Sequence, residues 1–150
     1  MIVTSNSVTH NFTIPSLLTV GQVDSNYDVI EQVVVYINSS TTFDHTFDKT
    51  DIDGNTTSVT ESKTVDEFSY YTVNLNTSNI SSFQAYNDLE EDTVLQWAFD
   101  VDPDRKTSLQ NTNETNVLEA KDKVLNPLKY KKDTPSTPWA RRAREALDGE

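Results

Sequence analysis

Apolar residues alternate with polar ones along much of residues 8–75, and beyond residue 88 they recur every three to four positions. This change of period, from two to 3.6, constrains the fold more than any other feature, because it places a strand-forming half before a helix-forming half. In "VTHNFTI" (8–14), Val8, His10, Phe12 and Ile14 share one face of a half-buried strand. Pro15 is expected to end that strand, with "LLTVGQV" (17–23) adding a short one before a loop near Asp24 to Asn26. The segment "DVIEQVVVYI" (28–37) is apolar on both faces, which predicts a central strand covered on each side, at least in part. Between 43 and 65, Phe43, His45 and Phe47 alternate ahead of Asp53-Gly54, a dipeptide suited to the two positive-φ positions of a type I′ turn. A polar, protruding hairpin is the expectation there, followed by a last strand over 66–75.

The helical half opens with Asn87-x-x-Glu90, a variant of the capping box, and Asp88, Glu90 and Glu91 put negative charge where a helix dipole favours it. On a helical wheel Val94, Trp97, Ala98 and Val101 fall in one stripe about 100° wide, the width of a core-facing side. Trp97, with Val94 and Val101, is therefore read as the anchor that fixes this helix to the sheet. Pro103 is expected to end it near 100–102, and a second helix fits 113–125, closed by Pro127. These elements predict an α+β domain: a small antiparallel meander of four to five strands, then two packing helices, spanning 1–126. Residues 127–150 read as an extended, Pro-rich, basic C-terminal arm, of which 140–148 can form a short basic helix.

A chain of 150 residues with 35% apolar content supports one domain with a modest core. Charge is uneven: residues 1–104 carry 17 acids against Lys49 and Lys63, whereas residues 105–150 carry seven acids against ten bases. An acidic body repels phosphate, so nucleic-acid binding by residues 1–104 is not expected. The absence of cysteine removes disulfides, thiolate metal sites and cysteine nucleophiles. Six sequons, at Asn11, Asn38, Asn55, Asn76, Asn79 and Asn113, read as a by-product of abundant Asn, Ser and Thr. The opening "MIVTSNSVTH" has no basic region or apolar run of a signal peptide, and no stretch approaches the ~20 apolar residues of a membrane span. A soluble chain kept in a cytoplasm or assembled into a particle is expected.

The most metal-like segment is "DKTDIDGN" (48–55), but in an EF-hand register Lys49 would hold the first ligand position and Thr60 the twelfth. An ordinary Asp-Gly turn is the simpler reading, and no metal or cofactor is implied. His10 and His45 lack a His or Cys partner at ligand spacing and read as packed or surface residues. No Gly-x-Ser-x-Gly is present, and three glycines cannot furnish a phosphate-cradling loop, so no catalytic residues are assigned. In "DTPSTPWARR", Trp139 follows two prolines outside any periodic pattern, so it is either an interface anchor or part of an arm folded back on its own sheet. Pro138, Trp139, Arg141 and Arg142 are the candidate interface residues.

The order of motifs resembles a family of small tailed-phage proteins common in marine cyanophages. The resemblance rests on Asp88, Leu89, Glu90, Glu91, Val94 and Trp97, then Glu119, Asn126 and Pro127, then Pro138 and Trp139, and covers about residues 8–139. Two departures are "ARRAREALDGE" after the terminal Pro-Trp, and a hairpin at 43–65 that is longer than usual. The resemblance implies a virion-associated structural role without assigned activity, with other virion proteins or further copies of the chain as partners. The charge of the body motivates an alternative: an intracellular phage effector that binds a basic host-protein surface, imitating nucleic acid.

Overall fold

The computed structural model describes residues 1–23, 26–75, 88–130 and 137–148, apart from the side chains of residues 22, 23, 26–28, 140, 144, 145, 147 and 148. Four antiparallel strands, β1 (Ile2–Ser5), β2 (Val8–Val23), β3 (Asn26–Thr50) and β4 (Thr56–Asn74), form one meander in the order β1-β2-β3-β4. Helices α1 (Glu91–Val101) and α2 (Pro103–Leu125) pack on one face of it. A 3-10 turn (Pro127–Tyr130) and helix α3 (Pro138–Asp148) form the C-terminal extension. The architecture is α+β, as the change of period predicts. The extension is helical at both of its described segments rather than extended.

Of the two prolines expected to end elements, Pro103 does so, since α1 stops at Val101, and Pro15 does not. β2 runs through Pro15 at a bulge between the pairs Thr13↔Tyr36 and Ser16↔Val34, where Ile14 and Pro15 of β2 oppose Val35 of β3. A missing N–H removes no ladder bond at such a position, so the strand continues. The neighbouring Ile14 N–H donates instead to Glu91 Oε2 at 3.3 Å, tying the bulge to the start of α1. Pro103 ends α1 as expected and also begins α2: Asp102 is the N-cap, its carboxylate accepting from Arg105 N at 3.2 Å, and proline suits the first helical position. Helix α2 therefore includes residues 103–112, ahead of the expected 113–125. At the start of α1 the cap residue is Glu90, with no side-chain cap bond; Asn87 of the expected capping box lies outside the described residues.

β1 joins β2 through Asn6-Ser7, both with positive φ (50° and 64°), a two-residue hairpin loop of the I′ kind. Thr41 Oγ1 donates to Ser7 O at 2.9 Å and holds this turn against β3. The Asp53-Gly54 turn is of another kind from the one expected. Only Gly54 has positive φ (85°), Gly54 N donates to Asp51 O at 3.1 Å, and Asp51 Oδ1 accepts from Asp53 N and Asn55 N. This is a three-residue loop whose glycine supplies the left-handed position.

The register of β3 and β4 is unbroken from Gln32↔Asn74 to Thr50↔Thr56. β2 pairs with β3 only as far as Thr9↔Ser40, so the ten β3–β4 pairs beyond it form a two-stranded ribbon about 30 Å long. Hydroxyl pairs Thr42–Thr64, Thr46–Thr60 and Thr50–Thr56, at 2.8, 2.8 and 3.1 Å, run along one side of the ribbon. The other side carries Phe43, His45 and Phe47, with Lys121 of α2 over the Phe43 ring.

The core lies between the sheet and the two helices. Phe12, Val33, Val35, Ile37, Tyr71 and Val73 meet Val94, Leu95, Ala98 and Phe99, and the Phe12 and Phe99 rings touch edge to face at 5.2 Å. The inward stripe of α1 is therefore Val94, Leu95, Ala98 and Phe99. Val94 is buried as expected and Trp97 packs half-buried at the margin of the core, but Val101 is 51% exposed and anchors nothing. The stripe is rotated toward Leu95 and Phe99, and Val101 lies on the last residue of the helix, beyond the sheet contact.

Candidate functional site

Three places bring chemically distinctive side chains together: a buried polar layer under α2, the exit of the C-terminal extension, and the uncovered face of the sheet. In the polar layer, His10 and Ser39 are fully buried, with His10 Nδ1 and Ser39 Oγ hydrogen-bonded at 2.6 Å. Ser69 donates to Asn113 Oδ1 at 2.6 Å and fixes the register of α2 on β4. Burial holds the His10 imidazole below its ordinary pKa of 6.5, while the Glu114 carboxylate pulls the other way. Serine, histidine and an acid thus lie close together, but the serine is sealed from solvent and no substrate carbonyl could reach it. His45 is half-buried and stacks on Phe47 at 5.2 Å. Burial of Asn113 also explains why its sequon is incidental, because a glycan needs an exposed amide.

Around the 48–55 loop, Asp51 turns Oδ1 onto the amides of its own turn. Among the described residues no group of three or more His, Cys, Asp or Glu side chains is placed to hold a metal ion. Among them, too, no helix is long and apolar enough to cross a membrane.

The exit of the extension is built around Asp122. Its carboxylate accepts from Asn126 Nδ2 at 2.7 Å, from Lys129 Nζ at 2.8 Å and from the Tyr130 hydroxyl. These three donors, Lys129 first, hold the Asp122 carboxyl well below the usual carboxylate range. The same contacts push Lys129 and Tyr130 up. The 3-10 turn is thereby folded against the C-terminal end of α2. Nothing in the sequence period marks this cluster; the signal was Lys129 and Tyr130 one turn after the Asn126-Pro127 stop.

Beyond it, Pro138, Trp139, Arg141 and Arg142 are all exposed in the first turns of α3, and Trp139 is 67% exposed. Arg141 N donates to Thr137 O at 3.0 Å, which starts the helix immediately before the proline. The four candidate interface residues are thus adjacent on one short helix, with the indole and two guanidinium groups available to a partner.

The uncovered face of the sheet was not anticipated. Apolar residues on both sides of β3 suggested cover on each side, at least in part, yet among the described residues no layer lies on the second side. Its apolar groups cover one another instead: Tyr36 lies 4.9 Å from Tyr70 and 6.0 Å from Phe68, and Phe68 meets Tyr70 edge to face at 5.8 Å. Phe68 and Tyr70 are each 58% exposed. Ile30, expected on this side, turns into the core because one extra residue of β3 shifts the register between Leu18↔Gln32 and Thr19↔Ile30.

A four-stranded antiparallel meander with two helices packed on one face is an α+β sheet-and-helix layer domain. The chain belongs to the family described as a domain of unknown function, DUF7936, whose model matches residues 7–139. Comparison with curated proteins and with solved structures gave no match.

Proposed function

We propose that the chain is a non-enzymatic structural or assembly component of a phage particle, which docks on a neighbouring subunit through its C-terminal extension. The observation that carries this reading is an exposed Trp139 beside exposed Arg141 and Arg142, on an extension whose exit is clamped to α2 by Asp122. Tryptophan and arginine are the side chains that most often dominate binding energy when they enter a partner's pocket. A helix already formed and started by proline loses less freedom on docking than a flexible tail. The family match supports treating the extension as part of the functional unit, because it runs past the helix layer to residue 139. The resemblance in motif order supplies the particle. The direct test is mass spectrometry of purified particles after a high-salt wash: the chain is expected among their proteins, and its absence ends this reading.

The charge of the body supports one alternative, an acidic effector that binds a basic host-protein surface. Residues 1–104 are strongly negative, and fields of that kind steer association with cations. That reading requires a host partner in pull-downs that moderate salt releases, and a chain found only in particles counts against it.

A further inference from the structure

We infer that the bare face of the sheet is the receptor for the extension of a second copy, with Trp139 of α3 seated on the Tyr36–Phe68–Tyr70 cluster. This rests on the docking reading above and adds to it the surface that receives the extension. Two sets of facts meet here. On the face, Phe68 and Tyr70 leave more than half of their surface in water, while Tyr36 props them from the central strand. Between the pairs Gln32↔Asn74 and Thr50↔Thr56 every outward position follows from the unbroken register. The charged side chains among these outward positions are Asp44, Asp48 and Asp66, all acidic; Lys49 and Lys63 point to the helix side. The remaining outward positions are short polar residues, Thr, Ser and Asn for the most part, which leave the aromatic cluster proud of its surroundings.

On the extension, α3 offers the complementary set: an exposed indole, with exposed Arg141 and Arg142 two and three residues on. By helical spacing Trp139, Ala143 and Ala146 share a face, so the indole is flanked by small residues that allow the helix to lie close to a flat sheet. Aromatic rings favour offset or edge-to-face contact with one another, and guanidinium groups stack on tyrosine and phenylalanine. The arginines meet a surface whose charges are all negative, so the pairing is complementary in sign as well as in shape. The occupant is a second copy because of where the extension begins. Tyr130 is held to Asp122 on the helix layer, and the aromatic cluster lies on the opposite side of the sheet. A neighbouring molecule presents that side directly, whereas the chain's own extension would have to turn round the sheet edge.

The test uses the full chain in sedimentation velocity over a wide concentration range, at low and high salt. Association that strengthens with concentration and weakens with salt is expected. Trp139→Ala, and separately the pair Phe68→Ser with Tyr70→Ser, should each raise the dissociation constant about 30-fold or more, the fold-change of a hot-spot residue. Trp139 lies outside the core, so its variant should leave circular dichroism and the unfolding midpoint unchanged; the face variant loses cross-strand ring contacts and should keep the native circular dichroism spectrum with a modestly lower midpoint. The chain has no cysteine, so a mixture of Thr72→Cys chains and Ala143→Cys chains should yield the mixed disulfide dimer on mild oxidation. If Trp139→Ala abolishes association and the face variant does not, the bare face is not the receptor, and docking by the extension stands. A chain that stays monomeric throughout, or a Thr72→Cys/Ala143→Cys double variant that cross-links only within itself, overturns the second copy as occupant. Particle proteomics decides the broader reading independently of both.

Discussion

The corrected orientation of α1 makes a sharp prediction, because Leu95 and Val101 are six residues apart on the same short helix and have opposite surroundings. Leu95 is fully buried among Phe12, Val33, Val35 and Phe99, whereas Val101 is half in water at the end of the helix. Leu95→Ala removes three carbons from water-free surroundings, about 2.4 kcal/mol at roughly 0.8 kcal/mol per methylene. The strands on one side and α2 on the other limit collapse around the vacancy, and a residual cavity adds to that figure, so the expected total is about 3–4 kcal/mol. Val101→Ala removes exposed methyl groups and raises helix propensity, so its effect should lie within about 0.5 kcal/mol of zero. Urea unfolding followed by far-ultraviolet circular dichroism and by tryptophan fluorescence measures both, with the m-value as a check that the transition stays two-state. A cost below about 1 kcal/mol for Leu95→Ala, or a Val101→Ala cost as large as that of Leu95→Ala, would refute the inward stripe described here.

Three further outcomes follow from local geometry. His10 is neutral in both states well above pH 6.5; below it the unfolded chain takes up a proton that the buried ring resists, so stability falls as pH falls. The slope reaches up to about 1.4 kcal/mol per pH unit until the folded ring titrates, and His10→Gln should lose this component; equal slopes in wild type and variant would contradict the burial argument. Gly54→Ala places a side chain at φ 85° with open space around its Cβ, so the cost is backbone strain of about 1 kcal/mol, read as faster amide exchange in the ribbon tip with the core unchanged. Asp122→Asn weakens the acceptor for Lys129 and Tyr130, so the Lys129 amide, which donates to Asn126 O, should exchange faster while α2 retains its protection; unchanged exchange there would show that the clamp is not what holds the turn.

The order of layers was legible because the period of apolar residues differs between strand and helix, and no packing detail is needed to see it. Proline was legible at one place and not at the other. Pro103 ends α1 where expected, but Pro15 lacks an N–H where a bulge requires none, and sequence alone does not say which backbone donors a fold will need. Trp97, the largest side chain of α1, is not the centre of the inward stripe: Leu95 and Phe99 fill the gap between sheet and helix, and the indole closes its edge. β1 escaped notice because it has four residues and turns through Asn6-Ser7 without a glycine. Trp139 was legible for the opposite reason, since it belongs to no period at all. The aromatic cluster on the bare face was within reach. Counting outward from Thr50↔Thr56 in an unbroken hairpin pairs Tyr36 with Tyr70, a pairing that depends on β3 and β4 running without interruption from Thr50↔Thr56 to Gln32↔Asn74.

Charge asymmetry also bears on how copies of this chain can meet. β4 is an edge strand of 19 residues, and an edge of that length offers unpaired N–H and C=O groups to any other strand. Glu61, Lys63, Asp66 and Glu67 lie along it, and with the negative body they oppose edge-to-edge pairing of identical chains. The basic start of α3 is the part of the chain that the same field attracts. In the proposed association, this charge pattern disfavours strand addition and favours extension on face. Such a contact joins two different surfaces, so it closes only by reciprocal exchange within a twofold dimer or by a ring; otherwise it runs on as a filament. Sedimentation distinguishes these: a single finite species points to closure, whereas a mass that grows with concentration without limit is the open-ended form, and an assembling particle can use either.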